Sequence, residues 1–257
     1  MLSITEWAQE KTENIGSHTL RLLTVDDDQI AVGHQKSAAV LPDHYVSEQR
    51  LSRAFETLGK SGVADLLREK LPQTKRIRSG DFGEILATEY INERTDYDAP
   101  IKRLRWNTKR DMPMLGDDVI GLSGGRDGVS LSFLKTEAKS RESLNNSTVT
   151  DARKALDRDN GLPSGHALTY VAERLLELGN EELADAITNA QFKAGIRQSQ
   201  VKHLMFAFTG NAPGNYLEAS LKGYMGQIPQ IAVGLQIKTH QAFIDSVFNE
   251  ALAAYES

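Results

Sequence analysis

Gly116-Asp117-Asp118-Val119-Ile120-Gly121-Leu122 and, after the turn Ser123-Gly124-Gly125-Arg126-Asp127-Gly128, the run Val129-Ser130-Leu131-Ser132-Phe133-Leu134-Lys135-Thr136-Glu137-Ala138-Lys139 read as two strands joined by a hairpin. Residues two apart on a strand point to the same face, so Glu137 and Lys139 project together. The hairpin brings them back beside the acidic start of the first strand, where Asp117 and Asp118 compete for one position. Two carboxylates and an ammonium at one sheet edge suit metal-assisted phosphodiester hydrolysis. The carboxylates offer hard oxygen ligands to Mg2+, and the lysine can orient water or offset developing charge. An isolated Glu-x-Lys also fits an ordinary ion pair on a surface strand. Against that reading stand the Asp at hairpin distance, the internal look of both strands and a carboxylate-bearing helix upstream.

The elements around this hairpin define the fold class. Upstream, a helix is expected from about Asp81 to Glu93 with Ser79 as its N-cap, and Ile101 to Trp106 looks strand-like. Downstream, helices are expected near 150–158, 165–178 and 181–192. Strands then follow at 203–208 and 231–235, with a helix from about His240 to Tyr255. Before residue 78, His18–Val25 reads as a strand, Asp26-Asp27-Asp28 as a turn, and 46–58 and 61–70 as helices that Leu71-Pro72 ends. Helices around a mixed central sheet make the chain α/β. The division expected is an N-terminal α+β extension over 1–77 and a catalytic domain over 78–257.

Composition narrows the function classes. The 257 residues include 30 basic and 35 acidic side chains, a net charge of −5, which excludes nucleic-acid binding by bulk charge. Any such contact needs a local patch. Lys102, Arg103, Arg105, Lys109 and Arg110 supply one, five cations in nine residues without an acid, with Lys75, Arg76 and Arg78 as a second cluster. Such side chains would grip phosphates without reading sequence, although a solvated loop face is the plainer alternative. Glu173, Glu177, Glu181, Glu182 and Asp185 form an acidic helical region better suited to a protein contact or to solvent. No cysteine is present, which excludes a disulfide framework and a thiolate metal site. The six histidines show no H-x-H or H-x-x-x-H spacing, and no phosphate-cradling G-x-x-x-x-G-K-[ST] occurs. Gly121-Leu122-Ser123-Gly124-Gly125 has the letters of a hydrolase elbow, but the glycines after the serine lead to a strand and not a helix. No leader pattern and no apolar run near about 18 residues occurs, so a cytoplasmic chain with no membrane contact is expected.

Gly116–Gly121 followed by Glu137-Ala138-Lys139 resembles the PD-(D/E)XK nuclease core, the restriction-endonuclease-like fold. Ser79-Gly80-Asp81-Phe82-Gly83-Glu84-Ile85-Leu86-Ala87 is similar to that superfamily's first core helix, whose glutamate often joins the metal site. More narrowly, the order of blocks from Arg78 through Lys139, with an N-terminal unit of this size, resembles the HamA family, nuclease subunits of the Hachiman anti-phage system. The resemblance implies a DNA nuclease of little sequence specificity with Asp118, Glu137 and Lys139 as catalytic residues, and Asp118 is favoured over Asp117 because the superfamily's Asp is strand-borne. Asp118, Glu137 and Glu84 would then hold Mg2+, with Mn2+ as a substitute. Glu84 lies off the apolar side formed by Phe82, Ile85, Leu86 and Tyr90, so a solvated helix glutamate is the other reading. The literal Pro-Asp is missing, since Pro113 does not immediately precede the acid. The family further implies a HamB-like helicase partner. Residues 1–77, which supply none of the proposed catalytic residues, are the expected docking surface, with the acidic region near 173–185 as second choice. A sequence-specific restriction enzyme and a silent DNA- or protein-binding module of the same fold are the alternatives.

Overall fold

A computed structural model describes residues 2–126 and 129–256 of the chain. Its six strands are β1 (Gln9–Ile15), β2 (His18–Thr24), β3 (Val119–Ser123), β4 (Ser132–Arg141), β5 (Val201–Thr209) and β6 (Gln230–Gln236). They form one sheet in the order β1-β2-β6-β5-β4-β3. The four inner strands run parallel, and the two outer ones pair antiparallel to their neighbours. Parallel strands are covered on both faces and therefore read as continuous apolar runs, as β5 does, with eight of its nine residues buried.

Eight α-helices cover the sheet: α1 (Ile30–Tyr45), α2 (Glu48–Lys70), α3 (Lys75–Arg94), α4 (Asn146–Asp157), α5 (Gly165–Glu177), α6 (Glu181–Asn189), α7 (Gly214–Lys222) and α8 (His240–Ala253). On one face Leu204, Phe206, Phe208, Val233 and Leu235 pack with α1, α3 and α8 through Leu41, Phe82, Ile85, Phe243 and Val247. On the other face Met205, Ala207 and Ala232 meet α4 and α7, while Ile120, Leu122 and Phe133 meet α5 and α6. Each fully buried large apolar side chain contributes about 1.5–3 kcal/mol to this core.

The central helix is α3. The Thr74 side chain caps it by accepting the Ile77 N–H at 3.3 Å. Its buried residues run all round from Asp81 to Ile91, because sheet, α8 and the N-terminal segment enclose it. Gly83 permits this: a Cβ there would come within 3.0 Å of the Ser140 Cβ on β4. Ser79, expected as the cap, lies inside the helix and shares a hydrogen bond of 2.8 Å with Ser140.

Several further expectations meet a different outcome. Residues 101–106 pair with no strand; Arg103–Trp106 forms a short 3-10 turn whose cations reach separate partners. By contrast, the two helices read before Pro72 are both present within α2, with the break between them at Gly59, whose φ of 71° lies outside the helical range. The expected boundary between 77 and 78 falls inside α3, and β2 pairs with β6, so residues 1–77 share the sheet and core of the remainder. Part of the hairpin tip, Asp127 and Gly128, lies outside the described residues. No described helix is long and apolar enough to cross a membrane.

Candidate active site

The β3–β4 register pairs Val119 with Thr136 and Ile120 with Lys135. One step further sets Asp118 opposite Glu137, and directly opposed residues share a face. Lys139, two residues on, joins them. The Asp118 Oδ2 accepts the Ala138 N–H at 2.9 Å, which fixes the carboxylate across the end of the strand pair. Lys139 Nζ forms an ion pair with Glu137 Oε1. The side chains of Asp118, Glu137 and Lys139 keep 13–23% exposure, so an ion or phosphate can reach them.

The electrostatics mark this pair. Burial, reinforced by the negative charge of Asp118, pushes the Glu137 carboxyl up to about 7, against the pull of Lys139 and Arg158. Asp117 turns elsewhere. Its Oδ2 accepts the Ser164 N–H at the start of α5 at 2.8 Å, and its Oδ1 lies 3.6 Å from the buried Lys135 Nζ. Asp118, and not Asp117, therefore stands with Glu137.

Glu84 is not solvated. It is buried, and Arg103 takes both its oxygens, Nε to Oε1 and Nη2 to Oε2 at 2.7 Å each. The same Nη2 donates to Asp118 Oδ1 at 3.0 Å, and Nη1 donates to the Asp117 carbonyl at 3.0 Å. Burial raises the Glu84 pKa, Arg103 opposes that rise, and the carboxylates hold Arg103 firmly cationic. A guanidinium thus bridges two of the three carboxylates expected to ligate a metal. The sequence held no sign of this, because Arg103 was one of five similar cations.

The expected phosphate-gripping cluster is largely spent on internal pairs. Besides Arg103, Lys102 Nζ meets Asp43 at 2.6 Å and Glu89 at 3.3 Å. Arg105 donates to the Asp43 carboxylate at 2.5 Å and to its carbonyl at 2.7 Å. Arg110 bonds the Arg68 carbonyl at 2.7 Å and lies 3.5 Å from Asp111. Lys109 is exposed and has no ion pair among the described residues. Cation density along the chain could not show that α1 and α3 fold their acids onto this segment.

No three Asp, Glu or His side chains among the described residues converge to enclose a metal ion. Mg2+ does not require such a cage, since it commonly binds through one or two carboxylates, waters and substrate phosphate. The Asp118–Glu137 pair fits that demand. Its mutual repulsion, which adds to burial in raising Glu137, is what a bound dication would relieve.

Asp81, one turn before Glu84 on α3, gives a separate pH test. Burial and then the Glu84 charge push it up to about 7, while Tyr45 donates to its Oδ2 at 2.8 Å. A carboxyl whose folded pKa exceeds its unfolded value favours folding most when protonated, and that contribution is lost as pH rises through about 7. Asp81→Asn removes the titration and keeps an acceptor. Its melting temperature should exceed the wild-type value at about pH 8, and the advantage should fade by about pH 4. An advantage equal at both pH values would contradict the assignment.

Comparison with known proteins covers nearly the whole chain. The profile of the HamA family matches residues 2–251. Hachiman protein HamA of Bacillus cereus is 26% identical over 252 residues, spanning 96% of this chain and 89% of that protein. Both N-terminal strands and the candidate site fall inside the matched region.

Proposed function

The chain belongs to the HamA family of the Hachiman defence system, and from that premise we propose that it is a metal-dependent DNA nuclease with a restriction-endonuclease-like core. The observation that carries the reading is the placement of Asp118 opposite Glu137, with Lys139 on the same face. Asp118 and Glu137 would hold Mg2+, or Mn2+ in its place. When bound, the ion supplies a polarised phosphate and an acidified water. Lys139 orients that water or offsets the charge that develops on the phosphate. Glu84 acts through Arg103, which holds Asp118 Oδ1, and is a ligand only if Arg103 leaves.

The partner in this reading is a helicase subunit that restrains the nuclease until DNA is engaged. The exposed Phe55 and Leu58 of α2, within residues 1–77, offer it an apolar contact. One competing reading has a specific observation behind it: the Arg103 bridge also suits a catalytically silent DNA- or protein-binding module. Incubating supercoiled plasmid with the purified chain in Mg2+ separates the readings. A nuclease of low specificity yields nicks and a smear, a restriction enzyme yields discrete bands, and a silent module leaves the plasmid intact.

The two aspartates provide an internal control. Asp118→Asn should abolish cleavage. Asp117→Asn, which disturbs only the Ser164 and Lys135 contacts, should be milder, and the reverse order in plasmid assays would move the site to Asp117.

A further inference from the structure

Beside the Asp118 carboxylate lies a cavity of about 460 Å³ that the hydrolytic chemistry does not use. Its size is in the range of small-ligand sites, and its lining is mostly apolar and aromatic. Trp106 and Tyr170 line it as an edge-to-face pair, with ring centroids 6.4 Å apart and planes at 89°. Arg174 lies over both rings, 5.6 Å from the first and 5.5 Å from the second, and Trp106 Nε1 donates to Glu177 at 3.2 Å. Two further lining residues, Met112 and Leu115, are 53% and 86% exposed. Asp118 forms part of the wall, and the exposed Lys109 lines the cavity too.

We propose that this cavity binds one unpaired nucleobase of the DNA strand whose phosphate lies at Asp118 and Glu137. The location rests on the nuclease reading. A base sits one sugar away from its own phosphate, so a phosphate held at Asp118 places the attached base at the cavity mouth. Lys109 can meet a neighbouring phosphate. A paired base cannot enter a concave site without leaving its stack, so frayed ends and single strands are selected over intact duplex. Aromatic and thioether walls accept any base by its π-face, which gives no sequence preference.

The test is binding by the full chain with Ca2+ in place of Mg2+, a dication that can bridge the phosphate to the two carboxylates, followed by fluorescence anisotropy under conditions where the probe stays uncleaved. The probes are a labelled oligothymidylate and an abasic strand with the same number of phosphates. The oligothymidylate should bind about tenfold or more tightly, the size of one stacked base. Trp106→Ala should remove the difference, and Trp106→Phe should keep most of it. Leu115→Glu, at an exposed position that cannot upset the core, should also reduce it. Equal affinities for the two probes, or no measurable binding of either, would overturn the proposal. Base-dependent binding without cleavage in Mg2+ would refute the nuclease reading and leave the pocket. Cleavage with equal affinities would do the reverse.

Discussion

Glu137→Ala should slow DNA cleavage by about a hundredfold or more, the usual loss when a preorganised charge is removed from a reaction centre. The fold should survive, because Glu137 lies in the partly open stretch of β4 just past its pairing with β3, and its carboxylate pairs only with Lys139 among the described residues. Removing a buried carboxyl held up to about 7 also removes repulsion with Asp118, so thermal stability should stay level or rise. Lys139→Ala should bring a rate loss of similar size through another route. The ammonium ligates no metal, so the Mg2+ concentration for half-maximal rate should stay near the wild-type value in Lys139→Ala and climb in Glu137→Ala. Wild-type rates in both folded variants would remove these residues from the site.

Arg103→Ala should lower stability by about 3–5 kcal/mol at neutral pH, as expected when one member of a buried ion pair is deleted and the other stays behind. The Arg103 side chain is 11% exposed and makes four hydrogen bonds of 2.7–3.0 Å to Glu84, Asp117 and Asp118. Without it Glu84 would be a buried carboxylate lacking its partner. Protonation of Glu84 relieves that state, so the loss should shrink as pH falls. Arg103→Lys should recover only part, since one ammonium cannot span both oxygens of Glu84. Urea unfolding at two pH values measures both effects. An Arg103→Ala chain as stable as wild type would show that the bridge does not form in solution.

Much of the sheet is legible in the chain because buried parallel strands announce themselves as apolar runs. The hairpin is legible because Ser123-Gly124-Gly125 admits little else between two strands. β1 is not. Gln9-Glu10-Lys11-Thr12-Glu13-Asn14 is an outer strand, and polar, charged side chains are what an edge carries to discourage further pairing. α1 escapes for a related reason: it mixes small, polar and apolar residues with Pro42 near its end, and its packing against α8 orders it. Ser79-Gly80 imitates a helix start inside α3, where Ser79 is buried against Ser140 while Gly80 faces open space. At the site, Glu137 and Lys139 follow from strand alternation, which left Asp117 and Asp118 open until the register paired Asp118 with Glu137. Glu84 and Arg103 do not, since neither shows in its own segment that the other folds against it.

The central claim is that the Asp118–Glu137 pair supports metal-dependent hydrolysis of DNA. Its most direct measurement is the initial rate of plasmid cleavage by the chelator-stripped chain, titrated with Mg2+ beside Asp118→Asn. The account predicts no cleavage without metal, a saturable rise with Mg2+ in the wild type, and no comparable rise in the variant. Cleavage at full rate in EDTA, or equal titration curves for the two proteins, would contradict it.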